Sequence, residues 1–206
     1  DRLENGLTYY IRANHKPENR AELRLVVRAG SVLEDDDQLG LAHFIEHMAF
    51  NGTEHFEKQE LIEFIESIGM QFGAHLNAYT GFDETVYMLR VPLDEPEVVE
   101  KAFLVLEDWA AHLTLDPEEI ELERGVVIEE WRSRRGAGAR MLDKQIPIMF
   151  EGSRYASRLP IGEKEILETF EHDTLIRFYR DWYRPELMAV VAVGDFDPAR
   201  IRTLIH

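Results

Sequence analysis

The chain contains no cysteine among its 206 residues, and this absence narrows the chemistry open to it. Disulfide bonds and thiolate metal sites are excluded, so a transition-metal site in this chain has to use histidine and carboxylate ligands. Long apolar runs are missing as well. Because no stretch of about 18 apolar residues occurs, the sequence predicts no transmembrane helix.

Basic residues are scarce relative to acidic ones. Lys and Arg number 23 against 40 Asp and Glu, which gives a formal net charge of −17. A chain this acidic is poorly suited to binding nucleic acid or an anionic membrane surface. Hydrophobic residues make up 45% of the sequence, which is enough for a folded core. Most of the acidic residues are interpreted as part of the solvated surface of that fold.

Residues 43–47 read His-Phe-Ile-Glu-His and form the most informative segment of the chain. On a helix His43 and His47 are four positions apart, so both imidazoles project from one face, which also carries Glu46. Two imidazoles and a carboxylate are what a catalytic zinc requires, namely two ligands and a general base. Chance could also place this trio on a polar helix face. The apolar residues around it indicate a buried helix instead, where such groups need a metal or a partner.

Hydrophobic periodicity and turn residues predict an α+β fold, a sheet with helices packed on it, and reveal no internal domain boundary. The apolar run 187–193 is typical of a fully buried strand. Asp197 and Pro198 start a last helix. Strands are predicted at 7–12, 22–28, 74–80, 84–91 and 187–193. Helices are predicted at 39–50, 58–68, 95–113, 116–135, 139–150 and 171–183.

A third zinc ligand is expected on another buried element, because catalytic zinc sites usually have three protein ligands. The helix that starts at Asp116 offers Glu123 and Glu130, which project from almost the same face since seven residues are nearly two turns. Either carboxylate could instead pair with an arginine of the same helix. The residues alone leave both candidates open.

Several ordered motifs resemble the pitrilysin/insulinase family of zinc peptidases, which includes the mitochondrial processing peptidases. The segment 43–53 resembles the family's metal motif, and residues 73–80 (Gly-Ala-His-Leu-Asn-Ala-Tyr-Thr) and 123–130 (Glu-Arg-Gly-Val-Val-Ile-Glu-Glu) continue the likeness. It extends to 160–162, 182–185 and 193–196, so it covers nearly the whole chain. The resemblance implies an α/β roll: a mostly antiparallel sheet with several helices packed on it.

The resemblance also implies a role for each motif residue. His43 and His47 match the family's zinc histidines, Glu46 matches its general base, and Glu130 matches its third ligand. Glu123 matches a second acidic residue that supports the site without binding the metal. The expected cofactor is one Zn²⁺ per domain, and the expected reaction is hydrolysis of peptide bonds in oligopeptides or unfolded segments.

Asn77 and Ala78 match a strand that pairs with the backbone of the peptide substrate in members of the family. This type of recognition adds an extended peptide to a sheet edge. Five other histidines have no ligand spacing to one another and are interpreted as surface or packing residues. They are His15, His55, His75, His112 and His172.

Residues 1–206 are expected to be a single zinc-binding peptidase domain, the N-terminal fragment of a longer protein. Its expected partners are further homologous domains of the same protein. Two alternatives remain: a non-catalytic homologous subunit or binding module, and a metal-binding domain that is inactive without its partner domains. The form of segment 50–56 resembles bacterial members that are often exported, which implies a periplasmic or otherwise exported location in a bacterium.

Overall fold

Five strands form one sheet in the computed structural model, which describes residues 1–71 and 73–206. The spatial order is β1-β5-β2-β4-β3; β1 pairs with β5 in parallel, and the other three pairings are antiparallel. This confirms the predicted mostly antiparallel sheet. The strands are β1 (Thr8–Ala13), β2 (Arg20–Val27), β3 (Leu76–Thr80), β4 (Thr85–Pro92) and β5 (Met188–Gly194).

Burial alternates along the central strands, as period-two side-chain geometry requires. Leu23 and Leu25 of β2 are fully buried, while Arg24 between them is exposed. The prediction that 187–193 is buried on both faces was wrong. In β5, Val190 is buried but Val191 only partly, because the helices cover one face of the sheet.

Most predicted helices are present, with ends shifted by a few residues at most. The prediction that 136–138 lies between helices was wrong, because Gly138 lies inside the fifth helix, and the short sixth helix was not predicted. The helices are α1 (Leu41–Met48), α2 (Lys58–Ser67), α3 (Pro96–Ala111), α4 (Pro117–Ser133), α5 (Ala137–Met149), α6 (Lys164–Thr169), α7 (His172–Trp182) and α8 (Pro198–Ile205).

The start of α4 follows the local rules read from the sequence. The Asp116 carboxylate accepts hydrogen bonds from the backbone N–H groups of Glu118 and Glu119, and Pro117 occupies the first helical position. The cap sets the position at which α4 begins. α4 packs against α1.

Core residues contact α1 and fix the position of its carboxyl end. Trp109 of α3 is fully buried, stacks on Tyr87 of β4 with ring centroids 5.2 Å apart, and donates from Nε1 to the Ala49 carbonyl at 3.0 Å. Phe44 of α1 packs edge-to-face on Phe170. The helix that carries the 43–47 motif is therefore packed on several sides.

Candidate active site

The amino end of α1 is fixed by Glu34, which precedes it. The carboxylate of Glu34 is fully buried and accepts from the backbone N–H groups of Gly40 (3.0 Å) and Ala42 (2.9 Å), which a helix start leaves without intrahelical partners. Burial raises the pKa of Glu34 to about 8. Gly40 has φ +98° and abuts Gly162, where a Cβ would lie 2.4 Å from the Gly40 Cα.

The imidazole rings of His43 and His47, both on α1, lie against each other. Their Nε2 atoms are 3.2 Å apart and the rings meet edge-to-face with centroids separated by 4.6 Å. His43 is buried and His47 partly buried. The predicted shared helix face is thus present.

Glu130 of α4 completes this cluster. Its Oε2 lies 3.2 Å from His47 Nε2 and 3.7 Å from His43 Nε2. Ligands about 2.0–2.1 Å from a tetrahedral zinc are about 3.3 Å from each other. The three donor atoms therefore have the separations that one zinc ion requires.

The electrostatics of the cluster favour a cation. Burial and the neighbouring His47 lower the pKa of His43 to about 4. Burial opposes the charge on His47 too, but hydrogen bonds to Glu123 and Glu130 raise its pKa to about 9. The His47 hydrogen bond in turn lowers the pKa of Glu130 to about 2. The raised pKa of His47 shows that the two carboxylates stabilise a positive charge at this ring.

Glu123 lies behind His47 rather than beside the three donor atoms. Its Oε1 is 2.8 Å from His47 Nδ1, and its Oε2 accepts from Asn51 Nδ2 at 2.8 Å. Both oxygens are therefore engaged away from the Nε2 atoms. Of the two acidic candidates on α4, the structure places Glu130 in the cluster and Glu123 outside it.

Glu130 also forms the kind of arginine pair that the sequence left open. Arg134, which caps the carboxyl end of α4, makes an ion pair with Oε1 of Glu130, while Oε2 faces the histidines. The arginine therefore occupies one carboxylate oxygen and leaves the other directed at the cluster.

Glu46 lies next to the cluster and meets β3. Thr80 donates from Oγ1 to Glu46 Oε2 at 2.5 Å, and burial raises the pKa of Glu46. A carboxyl group with a raised pKa is better matched to proton transfer near neutral pH. Thr80 has no counterpart among the predicted site residues; its position at the end of the 73–80 motif is the signal that could have identified it.

Asn77 and Ala78 lie on β3, which is an edge strand of the sheet. Backbone hydrogen bonds join Gly81 to Glu84 and Arg90 to His75, so every second residue of β3, counted from His75, bonds to β4. Ala78 lies between two such residues, and its N–H therefore points to the open edge of the sheet. That N–H is taken by Asn77 Oδ1 at 2.9 Å. A peptide that pairs with Ala78 therefore has to displace the Asn77 side chain.

The five other histidines considered above each have a local contact outside the cluster. The His55 Nδ1 atom, for example, is 2.7 Å from Oδ1 of the fully buried Asp108. Among residues 1–71 and 73–206, one group of His, Asp and Glu side chains has metal-ligand spacing, and it is His43, His47 and Glu130. The other histidine contacts are His15 with Asp195, His75 with Gln71, His112 with Glu54 and His172 with Glu121.

Residues 9–146 match the sequence model described as Insulinase (Peptidase family M16). The chain belongs to the insulinase family. Residues 169–206 of this insulinase-family chain match a second model, described as the Peptidase M16 inactive domain. The first match contains all the residues of the cluster together with Glu46 and β3.

Similar insulinase-family proteins occur in plants and bacteria. The chain is 47% identical to an Arabidopsis thaliana "Zinc protease PQQL-like", over 95% of this chain and 20% of the relative. It is 42% identical to a Haemophilus influenzae "Probable zinc protease PqqL", over 99% of this chain and 22% of the relative. The chain thus spans about a fifth of the length of these relatives.

Solved structures of the family share the fold. The crystal structure of the first half of the periplasmic protease PqqL from Escherichia coli matches with a TM-score of 0.94 and 36% identity, over 100% of this chain and 44% of that one. The crystal structure of pitrilysin matches with a TM-score of 0.82 and 25% identity, over 98% of this chain and 21% of that one. None of the described helices is long and apolar enough to cross a membrane.

Proposed function

We propose that this chain is the zinc-binding domain of a metallopeptidase that hydrolyses oligopeptides or unfolded segments. The observation that carries the proposal is the convergence of His43 Nε2, His47 Nε2 and Glu130 Oε2, with Glu46 beside them. Imidazole nitrogens and a carboxylate oxygen are a donor set that suits zinc. The single cluster among the described residues supports one Zn²⁺ for this domain.

Each of the site residues has a separate role in the proposed reaction. A zinc ion held by His43, His47 and Glu130 supplies Lewis-acid chemistry and a water of lowered pKa. Glu46 takes a proton from the attacking water and delivers it to the leaving amine. Glu123 accepts from Nδ1 of His47 and keeps its Nε2 available, a second contact that metal-binding histidines commonly have.

Substrate binding is assigned to the open edge of β3. Asn77 and Ala78 receive an extended peptide through backbone hydrogen bonds, after the Asn77 side chain leaves the Ala78 N–H. Backbone pairing makes few demands on substrate side chains, which supports oligopeptides and unfolded segments as the substrate class. The edge ends at Thr80, whose hydroxyl contacts Glu46.

Residues 1–206 are proposed to be one domain of a longer protein. The support is that relatives 42% and 47% identical are about five times as long as the part matched. Further domains of the same protein are the proposed partners. A periplasmic location is proposed because the Escherichia coli PqqL structure, 36% identical over the whole chain, is described as periplasmic.

Substitution of Glu46 by Gln tests the proposed function. We expect Glu46→Gln in the full-length chain to keep stoichiometric zinc and to lose nearly all peptidase activity, because the amide cannot accept the proton. Elemental analysis and cleavage of an unstructured peptide measure the two effects. Glu63→Gln, an exposed change on α2, is the matched control and should leave both unchanged.

The same measurements separate the alternatives. A wild-type protein without stoichiometric zinc would show the chain to be a non-catalytic homologue. Zinc binding with cleavage by the full-length chain but not by residues 1–206 would show that the partner domains are required. Full activity of Glu46→Gln would refute the role assigned to Glu46.

A further inference from the structure

Asn51 lies just beyond the end of α1 and is buried. Its amide nitrogen, Nδ2, is 2.8 Å from Glu123 Oε2 and 3.2 Å from the carbonyl oxygen of His47. A primary amide has two N–H bonds, so this nitrogen can donate to both oxygens at once. Asn51 thus joins the carboxyl end of α1 to a side chain of α4.

A backbone hydrogen bond fixes the position of Asn51. Its main-chain N–H donates to the Met48 carbonyl at 3.0 Å, which continues the last turn of α1. The side chain therefore starts from a defined position and reaches Glu123 across 72 residues of sequence. Neither contact requires a ligand to be present.

The other oxygen of Glu123 faces the proposed metal ligand. Glu123 Oε1 is 2.8 Å from Nδ1 of His47, and Nε2 of the same ring faces His43 and Glu130. A proton on Nδ1 leaves the lone pair of Nε2 free for a metal. With one oxygen held by Asn51 and the other by His47, the Glu123 carboxylate has one orientation in which both bonds form.

We propose that Asn51 is a positioning residue for the zinc site: its amide holds the Glu123 carboxylate, which orients the His47 ring toward the metal. The inference rests on the proposed function, because it requires zinc to bind His43, His47 and Glu130. Removal of partners behind metal-binding histidines typically weakens metal affinity about 10–100-fold. Asn51 is expected to act within that range.

Zinc affinity of the full-length chain, measured by competition with a chelator, tests the proposal. Asn51→Leu is similar in shape and removes both donors, and we expect the zinc dissociation constant to rise about 10–100-fold. The visible absorption of the cobalt-substituted protein should change as well, since the orientation of a ligand has changed. Asn51→Ala removes the amide without adding bulk or charge and replaces the leucine variant where that one does not fold.

Thr114→Val is the matched control for a merely structural role. The Thr114 hydroxyl donates to the Gly52 carbonyl at 3.0 Å, so it ties down the same loop without touching Glu123. We expect this variant to bind zinc within about twofold of wild type. Equal losses in Thr114→Val and Asn51→Leu would overturn the proposal, because both would then reflect loosening of the loop.

A double-mutant cycle identifies the path of the effect. If Asn51 acts through Glu123, Asn51→Leu should change zinc affinity by less than about twofold in a Glu123→Gln background, because contacting residues are not additive. Additive losses would refute the proposal while leaving the zinc site intact. A wild-type chain that binds no zinc would instead refute the proposed function and, with it, this inference.

Discussion

Trp109→Phe should destabilise the chain by weakening the anchor of α1. The indole N–H donates to the Ala49 carbonyl at 3.0 Å, and the side chain is fully buried. A buried carbonyl left without its donor costs about 1–3 kcal/mol. The smaller ring leaves about 40 Å³, which at about 24 cal/mol per Å³ adds roughly 1 kcal/mol. The free energy of unfolding should therefore fall by about 2–4 kcal/mol.

Equilibrium urea unfolding followed by far-UV circular dichroism measures this loss. Trp182→Phe is the matched control, because Trp182 is half-buried and makes no side-chain hydrogen bond within the described part of the chain. Its loss should stay near 1 kcal/mol or below, since the change mainly leaves a small, partly solvated gap. A loss below about 1 kcal/mol for Trp109→Phe, or one equal to that of Trp182→Phe, would refute the role of the hydrogen bond.

Two further predictions concern backbone geometry and pH. Gly162→Ala should cost about 2–4 kcal/mol in urea unfolding, because φ is +73° and the new Cβ would lie 2.4 Å from the Gly40 Cα. Gly152→Ala, at φ +80° with open space around it, should cost only about 1–2 kcal/mol. Hydrogen bonds from Arg124 first, then from a histidine, lower the pKa of Glu121 from 4.5 to about 2, so its stabilisation is present above pH 4.5 and lost as pH falls toward 2. The difference in unfolding free energy between wild type and Glu121→Gln should therefore shrink between pH 4.5 and pH 2. It should start below about 1 kcal/mol, because the Glu121 side chain is 55% exposed. A difference that grew on acidification would contradict the assignment.

Local rules predicted the elements that carry the site. The apolar spacing around His43 and His47 predicted α1, and the Asp116–Pro117 pair predicted the start of α4. Each signal lies within one helical turn, where capping and periodicity operate. The prediction that the strand at 187–193 is fully buried was wrong, because apolar composition does not show whether one or both faces of a strand are covered.

Contacts between distant segments could not be predicted in this way. The capping of α1 by Glu34 depends on a turn that brings the carboxylate back to the helix start. The pairs Thr80–Glu46 and Asn51–Glu123 join different elements. Such side chains carry no local periodicity that marks them, because their partners are chosen by packing.

The sequence by itself determined the type of chemistry open to this chain. With no cysteine, a transition-metal site needed histidine and carboxylate groups, and the pentapeptide at 43–47 placed two imidazoles on one helix face. Helix geometry left two acidic residues of α4 open and the family resemblance pointed to one of them; only the tertiary structure shows which one meets the imidazoles. Glu123 and Glu130 share a helix face, but the crossing of α4 over α1 brings Glu130 to the Nε2 atoms and Glu123 to Nδ1 of His47. That choice depends on how two helices pack, a property of neither helix alone.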